Sequence, residues 1–176
     1  PPYRITPETQ TVALQGKKGS GKSTVVDGLI TLLVPPPRNK HLLYNQASGI
    51  SEENKKSKGR TDETYFWGNY DESIDENEHI QSKRLREVND SHHTLLLACF
   101  DNGIQRLTLV QVWFWKTDAI KKIYIVCPKA LKIEEHFINL GYDPLKLRKQ
   151  FEMLSPEAKV FTDDFKGYQQ YFRDIL

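Results

Sequence analysis

The sequence predicts an α/β fold of three layers, a parallel sheet flanked by helices, and three observations carry that prediction. First, the short apolar segment Thr11-Val-Ala-Leu14 runs into the glycine-rich stretch Gly16-Lys-Lys-Gly-Ser-Gly-Lys-Ser-Thr24, which opens onto Val25-Val-Asp-Gly-Leu-Ile-Thr-Leu-Leu33. Second, continuous apolar runs recur at Thr94-Leu-Leu-Leu-Ala-Cys-Phe100 and Lys121-Lys-Ile-Tyr-Ile-Val126. Runs of that kind suit strands covered on both faces. Third, segments of helical period lie between them, and strands alternating with helices imply parallel pairing.

Taken in order, Thr11–Leu14 reads as a buried strand and Lys22–Leu33 as the helix after the glycine loop. Val34-Pro-Pro-Pro37 stops that helix, because consecutive prolines cannot continue it. His41–Tyr44 reads as a second short strand and Ser48–Lys58 as a polar loop. Tyr65-Phe-Trp-Gly-Asn-Tyr70 is an aromatic cluster; the acidic run Asp71–Glu78 follows as a solvated face, then a mixed-charge helix over about His79–Asn89. Thr94–Phe100 is expected to be a central strand, Gly103–Val110 to begin a short helix, and Val112-Trp-Phe-Trp115 to lie in a loop. Lys121–Val126 is the next strand, Ala130–Leu140 and Leu145–Leu154 are helices broken at Gly141 and Pro144, Lys159–Thr162 is a last strand and Phe165–Leu176 a last helix.

A length of 176 residues suits one domain over 1–176, with 1–10 as an N-terminal extension. The formal charge of +2 is too small to mark a dedicated nucleic-acid binder. Two basic segments, Lys83-Arg-Leu-Arg86 and Lys146-Leu-Arg-Lys149, keep nucleic acid open as a partner, though solvated helix faces explain them more simply. Cys99 and Cys127 sit inside apolar runs and read as buried free thiols of a reducing, cytoplasmic compartment. No apolar run approaches the roughly 20 residues that cross a bilayer, so direct membrane insertion is not expected. Any place at a membrane or junction would come through other domains. His92-His93 has no cysteine or carboxylate at ligand spacing and is not a metal site by this reading.

The chemistry concentrates in the glycine loop. Gly16, four residues, then Gly21-Lys22-Ser23 match the pattern GxxxxGK[ST] of the phosphate-binding P-loop. Glycines let successive backbone N–H groups turn toward phosphate oxygens, and the following helix aims its positive end at the anion. Gly16, Lys17, Lys18, Gly19, Ser20, Gly21, Lys22, Ser23 and Thr24 are therefore the candidate nucleotide-binding residues. Lys22 is the candidate catalytic cation for the β- and γ-phosphates, and the Ser23 hydroxyl the candidate Mg²⁺ ligand. The cofactors implied are ATP or GTP with Mg²⁺, within a P-loop NTPase fold. A guanine-reading NKxD is lacking: the nearest segment, Trp115-Lys-Thr-Asp118, has Trp where Asn is required. Ser23 has no adjacent base to make it a hydrolytic nucleophile.

Beyond the loop, Trp67-Gly-Asn-Tyr70, Ser73, the segment His79–Val88 and Thr94–Gly103 together resemble guanylate kinases in order and spacing. So do Lys121–Pro128 and Lys159-Val-Phe-Thr-Asp-Asp-Phe165, the latter similar to a strand near the adenine, which implies a nucleotide contact at Asp163. The resemblance also implies an acceptor region at about 41–78, shortened here, and a lid-like region at about 136–150. In the shortened region Lys55–Arg60, Glu63 and Tyr65 are the remaining acceptor candidates. The family's metal-side aspartate aligns with Ala98 and the next acidic position with Phe100, leaving Asp101 as the nearby carboxylate. Its lid arginine aligns with Leu140, leaving Arg148 as the substitute cation.

Phosphoryl transfer depends on positioned charge, so these departures imply impaired transfer. The expected role is a nucleotide-binding, guanylate-kinase-like module that docks a protein ligand on its old acceptor face, as in membrane-associated guanylate kinase scaffolds. Tyr65, Phe66, Trp67 and Tyr70, or Val112–Trp115, would be the docking patch. The alternative is an active small kinase using Lys22, Ser23, Asp101 and Arg148, with a nucleotide or an RNA 5′-hydroxyl as acceptor.

Overall fold

The computed structural model describes residues 4–6, 13–17, 20–34, 61–74, 80–87, 92–137, 144–154 and 156–175. The expected strand at His41–Tyr44, the loop Ser48–Lys58, the acceptor candidates Lys55–Arg60 and the lid position Leu140 lie outside them. Of the expected strand Thr11–Leu14, only Ala13 and Leu14 are described, and both are exposed and outside any strand.

The elements in chain order are α1 (Lys22–Leu33), α2 (Asp62–Trp67), β1 (Asn69–Ile74), β2 (Ile80–Arg84), β3 (His93–Asp101), β4 (Arg106–Lys116) and β5 (Ala119–Cys127). They continue with α3 (Ile133–His136), α4 (Pro144–Leu154), β6 (Lys159–Thr162) and α5 (Phe165–Ile175). The expected helix Lys22–Leu33, the strand Lys159–Thr162 and the last helix are found where the sequence placed them. The middle of the chain differs.

The main sheet has the order β3-β4-β5-β6, and every pairing in it is antiparallel. This corrects the parallel sheet expected from alternation. The cause is two tight hairpins. Asp101 pairs with Arg106 across a turn in which the Asn102 side chain accepts from the backbone N–H groups of Ile104 and Gln105. Lys116 pairs with Ala119 across Thr117 and Asp118, whose φ angles of 52° and 56° are those of a type I′ turn. That turn matches the right-handed twist of paired strands. The segment expected to begin a helix at Gly103 is thus mostly β4, and among the described strands β3 lies at the edge rather than the centre. A separate hairpin pairs β1 with β2, so the stretch expected to be helical at His79–Asn89 contains a strand instead.

Alternate residues of β4 feed two cores, which is why its interior reads as an apolar run broken only at Thr108 and Gln111. Val110, Val112 and Phe114 join Ile123, Ile125 and Cys127 of β5 beneath Leu147 and Phe151 of α4. Leu107 and Leu109 join Tyr124 and Val126 beneath Leu32 of α1 and Tyr168 and Phe172 of α5. Helices therefore cover both faces of the antiparallel sheet. A third cluster, Phe66, Trp67 and Trp113 with Ile30, Tyr65, Leu96 and Trp115 against it, joins α2 to α1 and the sheet. Cys127 is buried as expected, whereas Cys99, on the edge strand, is exposed. Among the described residues no helix is long and apolar enough to cross a membrane.

Candidate nucleotide-binding site

The glycine loop leads straight into α1, whose first intrahelical bond runs from Val25 N–H to Gly21 C=O at 3.1 Å. No side chain caps the start of α1, and its first turn holds no acidic residue. The first N–H groups of a helix have no partner within it, and its dipole places positive charge there. A start left in this state favours an anion. Upstream, the loop closes on itself through Ser20 N–H to Lys17 C=O at 3.2 Å. At Gly16 a Cβ would stand 2.6 Å from Ser20 Oγ, so only glycine lets the two sides of the loop approach this closely.

Lys22 completes the loop. Its ammonium donates to Gly16 C=O at 2.7 Å, to Lys17 C=O at 2.8 Å and to Ser20 Oγ at 3.3 Å. A cation is thus held over the loop rather than extended into solvent. Ser23 and Thr24 follow in the first turn of α1, and Lys18 and Gly19 lie outside the described residues.

The other end of α1 is anchored instead. The last carbonyls of a helix need partners from elsewhere, and here two of them find side chains after the last helical bond. Ile30 C=O accepts from Val34 N–H at 2.7 Å, Thr31 C=O from Gln111 Nε2 at 2.8 Å and Leu32 C=O from the Tyr168 hydroxyl at 3.1 Å. Gln111 also accepts from Trp113 Nε1 at 3.0 Å, which satisfies two polar groups inside the core. The apolar run around Gln111 gave no hint of this role. A lone amide in the middle of such a run was the signal available, because a buried amide needs partners.

The remaining site candidates are not gathered at the loop. Asp101 ends β3, where its carboxylate is 2.7 Å from Arg106 Nε and accepts from Gly103 N–H at 2.8 Å. That backbone bond first, and then Arg106, holds its carboxyl below the usual range. It sits at the Leu107 end of the sheet, in whose cluster Leu32 of α1 packs, while Thr24 in the first turn of α1 meets Tyr65. Arg148 lies exposed on α4 and pairs with Glu152 at 2.9 Å, an i,i+4 pair along its own helix. Asp163 stands in a positive-φ turn after β6, accepts from Lys122 N–H at 2.8 Å and lies 3.7 Å from Lys121 Nζ.

Of the expected docking aromatics, Tyr65 and Trp115 are half-buried and the others described lie in the core. Phe66, Trp67, Trp113 and Phe114 are all buried. Arg86, read as part of a basic segment, donates instead to Phe66 C=O at 3.1 Å, to His93 C=O at 3.3 Å and to Thr94 Oγ1 at 2.7 Å. Tyr65, an acceptor candidate by sequence, donates its hydroxyl to Thr24 C=O at 3.1 Å. Among the described residues no group of histidine, cysteine or carboxylate side chains could hold a metal by itself.

Residues 3–51 match the family model described as the P-loop containing region of AAA domain. The match supports a P-loop NTPase-like region over those residues. No curated protein and no solved structure matches the chain. The family match spans the loop and α1, where motif and geometry agree.

Proposed function

We propose that this chain grips the polyphosphate of a Mg²⁺-bound purine nucleoside triphosphate through Gly16–Thr24, and that it does not complete phosphoryl transfer with its own described residues. The observation that carries the reading is an uncapped helix start with Lys22 folded over the loop beside it. Lys22 would turn its ammonium to the β- and γ-phosphates, and Ser23 would offer its hydroxyl to Mg²⁺, whose charge would neutralise the phosphates. The donor set fits that metal, which prefers oxygen ligands and keeps several waters.

Two placements argue against an autonomous kinase. Asp101 and Arg148, the groups that would have supplied a metal-side carboxylate and a cationic clamp, are each committed to a local ion pair. The stretch of β3 whose residues pack toward α1, Leu96 and Ala98, is apolar. Groups outside the described residues would have to supply the missing charge. Burial of Phe66, Trp67, Trp113 and Phe114 weakens the protein-docking reading, and the antiparallel sheet weakens the guanylate-kinase likeness.

Titration with ATP, GTP and their diphosphates, with and without Mg²⁺, tests the reading. Binding in the micromolar to millimolar range is expected. Lys22→Ala should lower affinity about 10- to 100-fold, the scale of a charge-assisted hydrogen-bond set, and leave the melting temperature nearly unchanged. Absence of binding at millimolar nucleotide overturns the proposal. Turnover with a nucleoside monophosphate or an RNA 5′-hydroxyl overturns its second half.

A further inference from the structure

α1 contains a glycine in its interior that its helical role does not explain. Gly28 is buried in the second turn, where glycine costs a helix about 0.5–1 kcal/mol relative to alanine. A Cβ at this position would meet the Tyr65 hydroxyl at 3.0 Å and Leu96 Cδ2 at 3.4 Å. The hydroxyl passes over Gly28 to reach Thr24 C=O, 3.1 Å away. In a helix that carbonyl already accepts from the N–H four residues on, which is Gly28 itself. A carbonyl has a second lone pair, and a side chain can use it only where no Cβ blocks the approach.

The ring that carries this hydroxyl is fixed from several sides. Tyr65 lies on α2, whose start is closed by a capping box between Thr61 and Thr64. Its ring centroid is 5.7 Å from that of Trp113, whose opposite partner is Lys122, with Nζ 3.7 Å from the Trp113 centroid. Lys122 in turn pairs with Asp62, the first residue of α2, at 2.6 Å. The hydroxyl therefore arrives on a rigid element. It bonds to the residue next to Ser23, in the one turn of α1 that no side chain caps.

We propose that Tyr65 is a positioning residue for nucleotide binding, fixing the first turn of α1 so that Ser23 and the loop N–H groups meet the Mg²⁺-bound triphosphate, with Gly28 as the clearance that admits it. The inference rests on the nucleotide-binding reading above. It gives the aromatic segment after residue 60 a role in the phosphate site, in place of the acceptor or docking roles its sequence suggested.

The test is a double-mutant cycle on the full chain, read by fluorescent ATP-analogue binding in Mg²⁺ and in EDTA, with thermal melts alongside. Tyr65→Phe keeps the ring and should weaken Mg²⁺-nucleotide binding about 3- to 10-fold, the scale of one hydrogen bond. It should reduce the ratio of affinities with and without Mg²⁺, a readout that general loosening of the fold would not move selectively. Gly28→Ala should give a similar loss and a lower melting temperature. The pair Gly28→Ala with Tyr65→Phe should recover the melting temperature, because the hydroxyl that the methyl would strike is gone, while the affinity stays low. If the wild type binds and Tyr65→Phe binds with the same affinity and the same Mg²⁺ ratio, the positioning role is overturned and the nucleotide reading stands. If the wild type binds no nucleotide, both are overturned.

Discussion

Two helices of this chain begin in opposite ways. α2 is only six residues long, yet its start is fully closed: the Thr61 hydroxyl accepts from Thr64 N–H, the Thr64 hydroxyl accepts from Thr61 N–H, and Asp62 and Glu63 lie in its first turn. α1 is twice that length, and its start carries neither a side-chain cap nor an acidic residue. The difference tracks what each helix is for. A helix that serves only structure gains about 1 kcal/mol from a good N-cap. One that forgoes the cap keeps its N–H groups and positive dipole for an external anion. α1 compensates at its far end, where Val34, Gln111 and Tyr168 take its last carbonyls.

The sharpest way to test that division is to cut the anchor and leave the grip. Gln111→Leu keeps the volume of a buried side chain but strands Thr31 C=O and Trp113 Nε1, the two groups that Gln111 satisfies. Leaving buried polar groups unpaired costs about 1–3 kcal/mol. Chemical denaturation should show a loss of that size with an unchanged m-value, while nucleotide affinity at the other end of α1 stays at the wild-type value. A loss of affinity as large as that of Lys22→Ala would mean that the two ends of α1 do not act separately.

Thr61→Ala breaks the closed helix instead. Removal of a threonine cap costs about 1 kcal/mol, so a smaller stability loss than for Gln111→Leu is expected in the same denaturation experiment. The ranking should invert for binding. α2 carries Tyr65, so loosening its first turn should lower nucleotide affinity about twofold, whereas the more costly Gln111→Leu spares it. Equal affinities in both variants would break the link between α2 and the loop.

How much of this was legible beforehand depended on whether the information was local. The glycine loop, α1, the strand at Lys159–Thr162 and the last helix were readable because spacing, prolines and amphipathic period are properties of short stretches. Sheet direction was not, because an apolar run covered on both faces reads alike in a parallel and an antiparallel sheet. The clues that would have decided it were small. Thr117-Asp118 between two apolar runs forms a two-residue hairpin, and Asp101–Arg106 brackets another. The same blindness put Trp113 and Phe114 in a loop, when they are buried in β4. Among the site residues, Lys22 and Ser23 followed from the motif, whereas Gln111, Tyr168 and the Tyr65–Gly28 clearance arise only from tertiary contacts, which no local pattern encodes.

The smallest expected effect concerns pH and the closed helix. His93 opens β3 beside Arg86, whose guanidinium holds Phe66 C=O at the residue after Tyr65. Partial burial first, then the positive charges of Arg86 and His92, hold the His93 imidazole below its ordinary value of 6.5. The unfolded chain therefore binds this proton more readily than the fold does. Stability from this source is fully present above the unfolded value and is lost as pH falls below it toward the folded value. Because one side of the ring meets solvent, the change should be slight, at most about 2 °C in melting temperature. Melts across about pH 7.5 to 5 should show a slightly steeper acid decline for the wild type than for His93→Gln. Because the Arg86 corner supports α2, the same acidification should weaken nucleotide binding more in the wild type than in His93→Gln. If the two proteins decline alike in both measurements, the corner does not communicate with the loop, and the closed helix supports the open one through Tyr65 alone.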